Sequence, residues 1–169
     1  MNKYANIASR SAKFVNQNFN GLLSKQLDSA ELIEDFKDSA NKVARFYENL
    51  EFSKAMKEIM SLADKANQYV DSKQPWVLIK EEGNEELVQS ICTTSINLFR
   101  ILTVMLHPVI PGFTDTALKF LNEEEISWDS IDTPLLGCEV NAFEPVVIRI
   151  DDKHCLLYTS PSPRDREKS

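Results

Sequence analysis

Residues 52–71 read FSKAMKEIMSLADKANQYVD. Apolar side chains stand at Phe52, Ala55, Met56, Ile59, Met60, Ala63, Ala66 and Val70. Steps of three and four place them on one side of a helix, because a helix turns about 3.6 residues at a time. Charged and amide groups fill the other side. The spacing predicts a helix over 52–71, and Pro75 ends or kinks what precedes it, since proline offers no amide hydrogen to the ladder.

The same periodicity extends outward in both directions. Before this stretch, Leu32, Ile33, Phe36, Ala40, Val43, Ala44 and Tyr47 give the buried face of a helix over 28–50. Asp28 is positioned to cap it, with Glu31 three residues later as in a capping box. A first helix runs from near residue 1 to Asn18, with Tyr4, Ala8, Ser11, Ala12, Val15 and Phe19 inward and Ile7 and Phe14 widening the stripe. Asn20-Gly21 is its stop. After the turn at Gly83-Asn84, a long helix reaches Leu106 with Leu87, Ile91, Ser95, Leu98, Leu102 and Met105 as its stripe. Pro108 and Pro111 break it, and Thr114 can cap a shorter helix through Phe120 and Leu121. Residues 131–150 contain Pro134, Gly137 and Pro145 and read as an extended strap. The expected fold is an all-α helical bundle over 1–122, followed by an irregular C-terminal strap over 123–154.

Composition sets the outer limits. The 169 residues are 43% hydrophobic and 27% charged, which suits one folded domain. Apolar runs such as 98–106 are interrupted by Arg100 and Thr103, so none approaches the ~20 residues of a membrane helix. The opening MNKYAN has no signal-peptide core, and a cytoplasmic setting without membrane attachment is the expectation. Cys92, Cys138 and Cys155 form no Cys-x-x-Cys pair. With only His107 and His154 beside them, they supply no metal-ligand set, so free thiols and no metal are expected.

The search for catalytic residues returns none. Gly21, Gly83, Gly112 and Gly137 are too dispersed for a phosphate-cradling loop. His107, just before Pro108, is placed to cap helix carbonyls. Glu123, Glu124 and Glu125 read as a solvated helix end.

Recognition is better supported. The net charge of −7 argues against generic nucleic-acid binding, yet residues 1–27 hold Lys3, Arg10, Lys13 and Lys25 and no acid. One basic segment on an acidic body can meet an anion on one face and repel it elsewhere. Asn6, Arg10, Lys13 and Gln17 line the polar face of the first helix. Amide and guanidinium groups hydrogen-bond base edges, and Arg also stacks on bases. Trp76, after Pro75 at a helix break, is either half-buried packing or a stacking platform for an unpaired base.

Residues 155–165, CLLYTSPSPRD, resemble the translated read-through of a sequencing adapter, and 166–169 fit its continuation. Residues 155–169 are therefore treated as an artefact and left out of fold reasoning.

Several ordered motifs together resemble the anticodon-binding domain of bacterial-type methionyl-tRNA synthetases. They are Asn6-Ile7-Ala8-Ser9-Arg10, the run from Ile59 to Val70, Pro75-Trp76, the run from Ile96 to Leu102, Pro108-Val109-Ile110-Pro111, Phe120-Leu121-Asn122, and Pro134-Leu135-Leu136-Gly137 with Val140, Asn141 and Phe143. The resemblance implies a class I synthetase bundle that recognises the CAU anticodon of tRNA-Met. Asn6 and Arg10 would hydrogen-bond anticodon bases, and Trp76 would stack on the first of them. Asp64 and Asp71 would disfavour wrong anticodons, because a carboxylate repels a base acceptor or a phosphate. Lys13 is added as a phosphate contact. The family's catalytic motifs and zinc-bearing insertion are absent from this sequence, so the fragment alone is expected to be inactive. The resemblance assigns ATP, magnesium and any structural zinc to a parent ligase, whose catalytic domain would be the other partner. Where the family often has His after the strap glycine, this sequence has Cys138. Two other readings compete: an anticodon domain of another class I synthetase, such as the leucine, isoleucine, valine or cysteine enzymes, and a helical protein-interaction module. The Asn6, Arg10 and Trp76 set disfavours the first, and the interleaved polar face of the opening helix disfavours the second.

Overall fold

The computed structural model describes residues 2–142. The tail at 155–169 and the strap beyond 142 lie outside the described residues. Helices account for the architecture: α1 (Asn2–Phe19), α2 (Ala30–Glu48), α3 (Phe52–Lys73), α4 (Pro75–Leu78), α5 (Glu85–Leu106) and α6 (Pro111–Leu121), then a 3-10 turn at Trp128–Asp132.

The organising element is α5. From Ile91 to Leu106 every residue is buried, because α1, α2, α3 and α6 pack around it. The one-sided stripe expected there is therefore too narrow, and its first member, Leu87, is 40% exposed. By length and composition α5 could cross a membrane, contrary to the expectation drawn from its polar interruptions. In the bundle it is the core helix, and 83% of its most apolar window is packed inside the protein.

Polar residues along α5 pin the segments wrapped around it. Thr93 accepts from the Ser24 amide at 2.8 Å and Thr94 from the Asp28 amide at 2.8 Å, which fixes the α1–α2 connection. Ser11 donates to Ser95 at 2.7 Å, and the Tyr4 and Thr103 hydroxyls meet at 2.6 Å, so α1 and α5 run antiparallel. Asn97 acts as a backbone mimic: it accepts from the Leu135 amide at 2.8 Å and donates to the Leu135 carbonyl at 3.0 Å. Arg100, with its side chain 6% exposed, forms a two-point pair with Glu123 and donates to the carbonyls of Ser130 and Thr133. A buried charge is tolerated only when its donors are used in this way. Glu123 is thus a partly buried partner, unlike Glu124 and Glu125, which are exposed as expected of all three.

The strap returns along the α1–α2 connection. Leu23 donates to the Cys138 carbonyl, Val140 to that of Gly21, and Gly137 to that of Ser24, around an isolated antiparallel bridge between Leu22 and Glu139. Gly21 has φ +82°, and a Cβ there would lie 2.7 Å from the Val140 carbonyl oxygen. Glycine therefore both ends α1 and admits the strap.

Two caps differ from the sequence reading. Ser29, rather than Asp28, caps α2, its hydroxyl accepting from the Leu32 amide at 3.4 Å. Thr114 lies inside α6, because Pro111, with its fixed φ, starts that helix three residues earlier. The Thr114 hydroxyl donates to the Pro111 carbonyl and meets His107 Nδ1 at 2.8 Å. His107 ends α5 as placed, but its ring engages this hydroxyl rather than helix carbonyls.

Candidate nucleic-acid interface

The basic face of α1 lies beside α3, and the two helices run parallel. Lys3 pairs with Asp64 at 2.9 Å and Arg10 with Asp71 at 2.5 Å. Both members of the second pair lie seven residues, two helical turns, beyond those of the first. Between them, Asn67 donates to the Lys3 carbonyl at 2.9 Å and ties the two backbones together.

At its C-terminal end α3 redirects the chain. Gln74 adopts the left-handed conformation (φ 50°, ψ 61°), and its amide closes on the Val70 carbonyl. Pro75 then begins α4, buried at the first helical position, where a missing amide costs nothing. The short helix carries Trp76 outward, 36% exposed. Its ring lies under the Arg10 guanidinium, 5.3 Å from the centroid, a cation–π contact. Sixty-six positions apart in sequence, Arg10 and Trp76 are neighbours in the fold.

Arg10 therefore has two engagements, a stack on Trp76 and an ion pair with Asp71, while its side chain stays 33% exposed. Asn6, one turn before it, is exposed, and its side chain makes no hydrogen bond to another described residue. Lys13, one turn beyond, is exposed and has no ion pair among the described residues. Asp64 and Asp71 flank the face with side chains 45% and 60% exposed. Asn6, Arg10, Lys13, Asp64, Asp71 and Trp76 thus belong to the paired α1–α3 surface and its α4 flap. Solvent-accessible amide, guanidinium and indole groups in one place can hydrogen-bond and stack unpaired bases.

Sequence reasoning missed Lys3 and Asn67 as parts of this surface. It also missed the Asp28 carboxylate, which takes Tyr69 Oη at 2.7 Å and Lys73 Nζ at 3.3 Å under the end of α3. The basic character of residues 1–27 could have suggested Lys3. No sequence signal joins Asp28 to residues 41 and 45 positions away.

No group of three His, Cys, Asp or Glu side chains that could hold a metal comes together among the described residues. Among the described residues no cluster fits a magnesium or zinc ion, and no chemistry is derived through either. Cys92 is buried among apolar side chains, which pushes its thiol up to about 12. Cys138 is half-buried, and both are free.

Comparison with known proteins bears on the fold and the family. Three solved structures of Mycobacterium tuberculosis methionyl-tRNA synthetase superpose on the chain at 22% identity. They are the apo form (TM-score 0.73) and two methionyl-adenylate complexes (0.70 and 0.73). Each match covers 85% of this chain and 30% of the synthetase, so the chain spans under a third of that protein's length. At this identity they speak for the fold. A family model described as the anticodon binding domain of methionyl tRNA ligase matches residues 24–145, which leaves the whole of α1 outside the match. Since the matched span is well over half of the 169 residues, the chain belongs to the family of anticodon-binding domains of methionyl tRNA ligases.

Proposed function

We propose that this domain recognises the CAU anticodon of tRNA-Met, so that a parent ligase can attach methionine to that tRNA at the expense of ATP. One observation carries the reading: the Arg10 guanidinium stacked on the half-exposed Trp76 ring, one helical turn from an exposed Asn6 amide. Trp76 offers its π-face to the first anticodon base, which replaces the guanidinium there. Arg10, once displaced, donates its planar fork to a base edge or phosphate. Asn6 reads a neighbouring base edge, since an amide can donate and accept at once. Lys13 adds a phosphate contact. Asp64 and Asp71 disfavour loops that present an acceptor or phosphate where they stand. The acidic remainder of the chain limits adhesion to other RNA. The catalytic domain, with ATP, magnesium and any zinc, belongs to the parent protein, and the setting is the cytoplasm. Residues 1–122 form the recognition body and 123–154 the strap.

The test is binding of a CAU anticodon stem-loop. Trp76→Ala is expected to lose ~1–3 kcal/mol, the worth of one base–aromatic stack. Equal binding by Trp76→Ala and the parent sequence overturns the assignment.

A further inference from the structure

The last turn of α3 is held from two sides, and only one of them belongs to the α1–α3 interface. Asp71 faces Arg10. On another face of the same turn, Tyr69 and Lys73 converge on Asp28, from the loop before α2. Tyr69 Oη donates to Asp28 Oδ2 at 2.7 Å, and Lys73 Nζ lies 3.3 Å from that same oxygen. The Lys73 ammonium also stands 6.0 Å from the Tyr69 ring centroid. Asp28 is itself fixed, its amide donating to Thr94 of the core helix at 2.8 Å, and its side chain is only 12% exposed. Burial, and then the facing Asp28 carboxylate, push the Tyr69 phenol well above its ordinary value. It therefore stays a proton donor throughout the ordinary pH range.

The residues after that turn give the clamp its consequence. Lys73 is the last residue of α3, and Gln74 turns the chain through a left-handed conformation. Pro75 is buried, and Trp76 comes next. A left-handed glutamine is a costly conformation that persists only where its surroundings impose it. Only Gln74 and Pro75 separate the clamp from the stacking ring, too few residues to absorb a tilt of the helix end. Had the carboxylate served as the local cap of α2, as its position suggests, this anchor would be absent. Ser29 performs that task and leaves Asp28 for α3.

We propose that Tyr69 and Asp28 are positioning residues for RNA recognition, holding the end of α3 so that Trp76 lies under Arg10. This rests on the anticodon-reading proposal above. Neither residue touches the nucleic acid; both act through the Gln74–Trp76 turn.

The test is a double-mutant cycle on anticodon stem-loop binding, with a spectroscopic arm that needs no RNA. Tyr69→Phe keeps the ring and removes only the hydroxyl. It is expected to weaken CAU loop binding by about two- to tenfold, the range for the net worth of one typical hydrogen bond. In a Trp76→Ala background the same change is expected to have no further effect. In a Trp128→Phe background, which leaves Trp76 as the sole indole, Tyr69→Phe is expected to red-shift the emission and raise acrylamide quenching. Asp28→Asn, which still accepts from Tyr69, is expected to retain most of the Trp76 signature. An equal loss from Tyr69→Phe with and without Trp76 overturns the proposal, as does an unchanged Trp76 emission. If Trp76→Ala itself binds normally, the anticodon reading fails, and the emission and quenching still decide whether Tyr69 positions the ring.

Discussion

Replacing Asp71 by Asn removes the carboxylate that holds Arg10 while keeping the side chain's size. Its effect on folding is expected to be small. The pair is 33% and 60% exposed, and exposed pairs are worth about 0.2–1 kcal/mol despite their short distance. The effect on RNA binding has the opposite sign. In the free domain Arg10 must leave Asp71 before it can serve a base or phosphate. Removing the partner returns that same ~0.2–1 kcal/mol to binding. The lost negative charge adds more. A phosphate about 10 Å away is repelled by roughly 0.4 kcal/mol in water, before salt screening over a Debye length of about 8 Å. Together these amount to about 1 kcal/mol, or roughly fivefold in affinity. Release of Arg10 helps every loop, whereas the relieved repulsion falls on loops that place an acceptor or phosphate near Asp71, so altered anticodons gain more than CAU. The assay is fluorescence anisotropy with labelled CAU and altered stem-loops at several salt concentrations. Asp71→Asn is expected to tighten altered loops roughly fivefold and to narrow the gap to CAU. It is also expected to steepen the salt dependence by up to about 0.7 in log–log slope if one more phosphate is neutralised. Unchanged affinity for altered loops, or tightening confined to CAU, would refute the reasoning.

Arg100→Met is expected to destabilise the fold by ~3–5 kcal/mol, because it strands the Glu123 carboxylate and two strap carbonyls in a nearly dry site. Urea unfolding measures this, and a loss below about 1 kcal/mol would mean that the pair is no better than a surface one. Stability is also expected to fall at alkaline pH. Tyr4, Tyr69 and Cys92 all bind their protons more tightly when folded, chiefly because burial disfavours their charged forms. Their contribution is complete below the unfolded values of 9 for the thiol and 10 for the phenols. It declines as pH rises from about 9 towards the folded value of about 12 for Cys92. A flat urea midpoint from pH 8 to 11 contradicts this. Maleimide labelling followed by peptide mapping is expected to modify Cys138 well before Cys92, which is 2% exposed, and equal rates refute that order.

The sequence made helices legible because their periodicity is local, and it left their ends to tertiary contacts. The helix expected over 52–71 runs two residues further, to Lys73. At that end Lys73 reaches Asp28, a partner no local window contains. Asp28 and Ser29 stand side by side, and either can cap a helix. The choice went to Ser29 because Tyr69 and Lys73 claim the carboxylate. The polar residues of α5 were the most misleading. Arg100 and Thr103 read as interruptions of an apolar run, and a helix with a wet side was the natural inference. In the fold they are the sites at which the central helix holds α1 and the strap. A buried polar group announces its partner only when that partner is near in sequence. The same limit governs the proposed recognition site. Asn6, Arg10 and Lys13 could be grouped because helical spacing alone places them together. Helical spacing could not join Trp76 to them, and only the family resemblance did, because its position depends on α3 lying parallel to α1 and on the left-handed turn at Gln74. The site is an outcome of packing two helices in register. A change that shifts α3 along α1 by one turn is therefore expected to abolish recognition without touching any residue that meets the RNA.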